Sequence, residues 1–179
     1  AKTGVAGATN TTFLSGNVVG LNTGGTNSDL NVPKLRAGKK LLMEHEVDLD
    51  SDPIYCAIDA DNHDALLNEI QITSADFNGN EKPVLQDGKV TRFLGINFIH
   101  CERLATQALG TDDQTTSTSS KQIPMWAKSG MHLGLWSDIQ ATVSQRNDLQ
   151  GLPWQAYVKG TFGSTRLEEK KIVKVWCKA

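Results

Sequence analysis

Residues 137–179 alternate apolar and polar side chains in three successive runs, and no other stretch limits the fold as tightly. Ile139, Ala141 and Val143 alternate with Gln140, Thr142, Ser144 and Arg146. After a break at residues 147–153 comes a second run from Trp154 to Phe162. Gly163, Ser164, Thr165 and Arg166 then turn the chain, and a third run from Leu167 to Cys177 ends in Ile172-Val173-Lys174-Val175-Trp176. Period-two alternation, β-branched and aromatic enrichment and Gly or Asn/Asp/Pro punctuation predict three consecutive strands. These strands are wet. Glu168, Glu169, Lys170 and Lys171 form a charged approach to an apolar strand. Such strands rest one face on a core and leave the other for solvent or another subunit.

A chain of 179 residues suits one domain or two small lobes and can bury a real core. The formal net charge of −2 gives no strong general pull toward nucleic acid. Cys56, Cys101 and Cys177 are odd in number and far apart, which builds no secreted disulfide framework and points to a reducing cytosol. No apolar run approaches the roughly twenty residues that cross a bilayer, so no membrane partner is expected. Lys2 is an isolated charge with no apolar signal core behind it.

Residues 1–30 are rich in Gly, Thr, Asn and Ser and read as an extended segment, with Phe13-Leu14 and Val18-Val19 as strand pieces. A phosphate cradle would need a Lys-Ser or Lys-Thr after its last glycine, and none follows. Asn31 caps a helix over residues 32–47, and Pro33 sits where its missing N–H costs nothing. Leu35, Leu41, Leu42 and His45 form its apolar face, with Lys34, Lys39, Lys40, Glu44 and Glu46 outside. Gly38 weakens it by about 1 kcal/mol relative to alanine. Ile54 to Ile58 is a compact buried strand. A second helix begins near Asn62 or His63 and buries Leu66, Leu67 and Ile70. Residues 73–89 form a loop marked by Asn78-Gly79, Pro83 and Asp87-Gly88. Residues 93–99 make a strand apolar enough to be central, and residues 106–121 a Thr/Ser-rich surface loop. Residues 123–127 and 131–135 read as a hairpin turning at Lys128-Ser129-Gly130.

Two acidic clusters are the candidates for a metal: Asp48, Asp50 and Asp52, then Asp59 and Asp61. Hard cations want several carboxylate oxygens on a tight loop. An EF-hand-type loop also needs glycine at its sixth position and glutamate at its twelfth. Those positions are Pro53 and Asp59 counted from Asp48, and Asp64 and Ile70 counted from Asp59, so both fail. The competing reading is a solvated turn plus acids at a helix start. His45, His63, His100 and His132 are scattered, without Cys-x-x-Cys or His-Glu-x-x-His spacing. No Gly-x-Ser-x-Gly elbow accompanies Ser129. No cofactor is expected. Trp126, Trp136, Trp154 and Trp176 all lie in the last third, as core or subunit-contact residues.

A succession of short blocks carries a resemblance. Trp126-Ala127-Lys128-Ser129-Gly130-Met131-His132-Leu133-Gly134 is followed by Asp138-Ile139 and Ser144-Gln145-Arg146-Asn147-Asp148. Gln155-Ala156-Tyr157-Val158 and Gly163-Ser164-Thr165-Arg166-Leu167-Glu168-Glu169-Lys170-Lys171-Ile172-Val173 come next. From about Arg92 to the end this string resembles the C-terminal portion of a tailed-phage major capsid protein with the HK97-type shell fold. The resemblance implies an α+β fold: a mixed-sheet axial lobe with two helices, and a peripheral lobe of long antiparallel strands. It divides the chain into an extended segment at 1–30, an axial domain at 31–135, peripheral strands at 136–166 and a last strand at 167–179 returning to the axial domain. It implies no enzyme but a structural head protein, self-assembling into an icosahedral virion shell around double-stranded DNA, built in the host cytoplasm. Its partners would be copies of itself, DNA held by non-specific contact, and portal, scaffold or decoration proteins. Trp154, Tyr157, Arg166, Glu168, Glu169, Lys170 and Lys171 are the residues expected at subunit contacts. Two alternatives stand beside it: a metal-dependent enzyme or small-ligand-binding domain, and another virion part such as a tail or decoration module.

Overall fold

The computed structural model describes residues 2–3, 9–10, 13–73, 88–104, 106–108 and 119–179. Within them, two short N-terminal strands, β1 (Lys2–Thr3) and β2 (Thr9–Asn10), pair antiparallel. Of the two expected strand pieces, Phe13-Leu14 forms no strand and runs into a 3-10 turn at Ser15–Asn17, whereas Val18–Val19 is β3 and joins the main sheet.

Helix α1 (Val32–Glu44) starts as its sequence dictates. The Asn31 side chain accepts the Lys34 N–H at 3.0 Å, and Pro33 occupies the first turn. The helix stops three residues short of the expected 47. Glu46 takes a left-handed φ of 59°, and the Val47 N–H turns back to Leu42 O at 3.3 Å. Leu35, Gly38 and Leu42 are buried on its inner face, and so is Lys34, which the sequence reading had placed outside.

Strand β4 (Ile54–Ile58) follows, and its C-terminal neighbour Asp59 caps α2 (Ala60–Leu67) through the Asn62 N–H. A break at Asn68 separates α2 from the single turn α3 (Ile70–Thr73). That break shifts the helical phase, so Ile72 is buried while Ile70, expected inside, is 71% exposed. The loop expected next lies, at residues 74–87, outside the described residues.

The expected strand at 93–99 is two strands. β5 (Arg92–Phe93) and β6 (Ile96–His100) form a hairpin through Leu94 and Gly95, both at positive φ, 52° and 78°. That conformation is the two-residue turn matching strand twist. β6 is second from the edge, not central. β7 (Thr106–Ala108) and β8 (Ser119–Ala127) replace the two ends of the expected loop, and residues 109–118 lie outside the described ones.

The hairpin expected across Lys128-Ser129-Gly130 does not form. β8 pairs with β4, β7 and β11 (Ile172–Lys178), and the 3-10 turn Lys128–Gly130 sends the chain out of the sheet. Met131 therefore opens a single fifteen-residue strand, β9 (Met131–Gln145), which pairs only with β10 (Trp154–Arg166) among the described residues. The turn expected at Gly163-Ser164-Thr165-Arg166 is instead the end of β10, and the third C-terminal run begins only at Ile172, after another 3-10 turn at Glu169–Lys171.

The described residues thus form one mixed sheet of seven strands, in the order β3-β11-β8-β4-β6-β5 with β7 beside β8, and a separate two-stranded ribbon, β9–β10. β4 and β6 are parallel, as are β11 and β3. The core lies between α1 and one sheet face. Leu35 and Leu42 meet Cys56, Ile96, Met125, Val173 and Val175 there. Gly38 has no Cβ because one would come within 3.0 Å of the Met125 sulfur. On the opposite face Tyr55 stacks on Trp126 with ring centroids 6.1 Å apart.

Candidate subunit-contact surface

The ribbon is the part of the chain without a core. Side chains directly opposite on paired strands share a face, as do alternate residues along each strand. The register pairs Ala156 with Val143, Val158 with Ala141, Phe162 with Leu135 and Ser164 with Leu133. Gly160 lies against Ile139, whose Cγ1 would be 3.5 Å from a Cβ there. Trp154 shares this face. The other face carries Gln155 with Ser144, Tyr157 with Thr142, and Lys159 with Gln140. Register shifts between Lys159 and Phe162 set an advance of five positions on β9 against three on β10, both odd, so the segregation resumes beyond them.

One face is therefore apolar almost end to end. Leu133, Leu135, Ile139, Val143, Trp154, Val158 and Phe162 are each 60–73% exposed. Trp136, the unpaired residue at the register shift between Ser137 and Leu135, is 92% exposed. Contiguous apolar surface beyond a few hundred Å² marks an interaction site, and a two-stranded ribbon alone is marginal in water. At the tip, Arg146 Nε reaches Asp148 Oδ1 at 2.9 Å, Nη2 bonds Oδ2, and Leu149 and Leu152 are exposed. The Arg146 guanidinium holds the Asp148 carboxyl below the usual carboxylate range.

The root of the ribbon is charged and internally paired. Arg166 Nη1 donates to Glu169 Oε2 at 2.7 Å, and Lys171 Nζ pairs with Glu168 at 3.0 Å. The Arg166 guanidinium stands 5.3 Å from the Phe13 ring centre, Lys174 Nζ 5.2 Å from the same ring, and that ammonium 5.1 Å from the Trp176 ring. Cations and rings alternate in a four-membered stack. Of the residues expected at contacts, Trp154 and Tyr157 stand exposed on opposite ribbon faces and Lys170 is exposed, while Arg166, Glu168, Glu169 and Lys171 are engaged within the chain.

The acidic clusters are tied up by neighbours. Asp48 accepts from Ser51 Oγ at 2.6 Å and the Asp50 N–H at 3.1 Å, and these two bonds hold its carboxyl low. Asp52 accepts the Ser129 N–H at 3.0 Å and its hydroxyl. Asp50 is exposed. Lys121 joins Asp59 to Asp61, at 2.9 Å to the latter. Burial disfavours the charged Asp59, but the Lys121 ammonium and Asn62 outweigh it and keep the carboxyl below its ordinary range. The Asp59 and Asp61 bonds raise Lys121 above the ordinary lysine range. Among the described residues no three His, Cys, Asp or Glu side chains converge as a cation would require.

The histidines serve different neighbours. His45 Nε2 meets Asn17 Oδ1 at 2.8 Å, His63 Nε2 accepts the Val90 N–H at 3.1 Å, and His100 pairs with Glu102 at 2.7 Å. Burial pushes the Cys177 thiol up to about 12, against the nearby Lys34 charge, and raises Cys56 further. Thiols so placed are poor nucleophiles.

Two residues escaped the sequence reading. Lys34 is fully buried, its Nζ donating to Trp176 O at 2.8 Å and Ser28 O at 2.5 Å. The signal was present: Lys34 precedes Leu41 by seven positions and Gly38 by four, on the apolar stripe. Asn17 is also fully buried and reaches residues more than 150 positions away, which no local pattern announces.

A family model described as "Phage capsid protein" matches residues 1–179. No curated protein matches the chain. Among solved structures, a Mycobacterium phage Che8 structure aligns with a TM-score of 0.59 at 16% identity, over 90% of this chain and 54% of that one. The capsid of the cyanophage P-SCSP1u aligns at 0.58 with 15% identity, over 80% and 44% respectively. The capsid of Ralstonia phage GP4 aligns at 0.57 with 11% identity, over 94% and 54%. The chain thus spans about half the length of the solved chains it matches. The likeness shows the fold, which is the α+β, HK97-type shell fold that the block succession implied.

Proposed function

The chain belongs to the phage capsid protein family, and from that membership we propose that it is a structural subunit of a bacteriophage head, tiling an icosahedral shell around double-stranded DNA. One observation of the molecule carries this reading: a long ribbon leaves the sheet with seven large apolar side chains uncovered on one face. Repeated by symmetry, modest contacts of this kind hold a shell without a reaction centre. The sheet with α1 and α2 serves as the axial lobe, the ribbon as the peripheral lobe, and β11 as the strand returning to the axial lobe. Trp154, Tyr157 and the charged root at 166–171 lie at contacts between copies. No enzymatic step is assigned to the chain.

The mature location is the virion, reached by assembly in the host cytoplasm, with DNA held by non-specific contact and portal, scaffold or decoration proteins as further partners. Expression of the full gene tests the reading directly. Electron microscopy is expected to show closed particles of large mass. A discrete monomer or dimer whose melting temperature rises on calcium addition would replace it with the ligand-binding alternative.

A further inference from the structure

Two short connections join the ribbon to the sheet, and each contains a three-residue 3-10 turn. Lys128–Gly130 carries the chain out from β8, and Glu169–Lys171 brings it back to β11. They lie against one another. The Leu167 N–H donates to Gly130 O at 3.0 Å, and Lys171 Nζ donates to Ser129 Oγ at 3.1 Å. A Cβ on Gly130 would fall 2.9 Å from the Lys171 Cβ, so only glycine permits this approach. Such turns have poorer hydrogen-bond geometry than α-helix and serve as connectors, and a hinge is made by a few loop or element-terminal residues of this kind. Two side by side define an axis.

Residues remote in sequence hold each turn. Asp52 and Pro53 hold the outgoing one, through Ser129 and the Lys128 N–H. Asn17 holds the returning one. Its Nδ2 lies 3.1 Å from Glu169 O, 3.2 Å from Lys170 O and 3.1 Å from Ile172 O. Two amide hydrogens are thus shared among three carbonyls, while Oδ1 meets His45 Nε2 at the end of α1. Phe13 adds the ring on which Arg166 and Lys174 stack.

We propose that residues 13–17 are a clasp that sets the angle of the ribbon against the sheet, with Asn17 as its positioning residue. When the clasp is open the ribbon tilts about the two turns while both parts stay folded. The ladders allow this. β11 pairs with β8 over seven residues but with β3 over only two, and the twelve pairs of the ribbon are internal to it. One chain can then present its ribbon at more than one angle to its surroundings.

Spin labels at Arg36→Cys on α1 and Gln150→Cys at the ribbon tip, in a Cys101→Ser background diluted with unlabelled chain, report the angle by electron–electron double resonance. The intact clasp is expected to give one narrow distance. Asn17→Ala is expected to about double its width, as a released hinge does, with amide protons of β8 and β11 still protected from exchange. Phe13→Leu, which keeps Asn17, is expected to broaden it less. A distribution as narrow as the parent's in Asn17→Ala overturns the proposal. So does broadening that comes only with lost protection in β8 and β11, since that is unfolding of the sheet.

Discussion

Lys34 and Asp59 show how single charges are accommodated inside this chain. Lys34 is sealed beneath α1 with carbonyl oxygens around its ammonium. Ser28 O also accepts the Lys178 N–H at 3.2 Å, so removal of the ammonium falls mainly on Trp176 O, and a buried acceptor that loses its donor costs about 1–3 kcal/mol. Lys34→Met is therefore expected to destabilise the fold by about that amount in urea melts, although its volume fits. Asp59 does two jobs, capping α2 and pairing with Lys121. Asp59→Asn keeps a good cap and removes the charge. Because the folded carboxyl titrates lower than its unfolded value, the stabilisation is complete above the unfolded value near pH 4 and fades as pH falls through the folded one. Urea melts at pH 7 should then show Asp59→Asn weaker by about 2 kcal/mol, the scale of a hydrogen bond to a charged group. At pH 2 the two proteins should converge. The sequence marks Asp59 as an acid near a helix start but places that start at Asn62 or His63, two or three residues late, so the cap itself is not read from it. It could not announce Lys121 as the partner, which lies 62 positions away.

At the scale of elements, the cap of α1 and its inner Leu35 and Leu42 are legible because those signals are local, whereas its end at Glu44 and the burial of Lys34 are not. The larger errors fell where a pairing partner decides the structure. Residues 123–135 have the pattern of a hairpin, yet β8 finds β11 and β4 instead, and both partners are distant in sequence. Residues 93–99 are nearly all apolar, which fits a central strand and also a tight hairpin whose turn residue Leu94 packs on the core. The ribbon was partly legible: alternation revealed its strands, but that neither face is covered could not be read from period two alone. Gly38 links helix to sheet and tests that contact. Gly38→Ala gains about 1 kcal/mol of helix propensity but presses the Met125 side chain. Met125 is unbranched and can move by a few tenths of an ångström, so the net change should stay within about 1 kcal/mol. Gly38→Val has no such room and should cost about 2 kcal/mol or more by overpacking, read from urea midpoints.

The whole molecule divides its apolar surface unequally. Sheet and α1 enclose a finished core, whereas the ribbon, roughly 40 Å long by strand rise, leaves its apolar face open. Family membership explains why such a face is kept in a chain of otherwise ordinary composition. A surface that serves association can be charged without touching the fold, which separates the two roles. Val143 and Val158 are 67% and 63% exposed on the apolar face, so replacing both by glutamate should change the folding free energy by no more than about 0.5 kcal/mol each. In the full-length gene product the same pair should abolish particles, because two carboxylates would be carried into a dry contact. Thr142→Glu with Gln155→Glu adds the same charge on the opposite face and should leave particle yield close to the parent's. Sedimentation and electron microscopy of both variants decide it. Equal loss from either face would mean that charge on the ribbon, and not its apolar side, controls assembly.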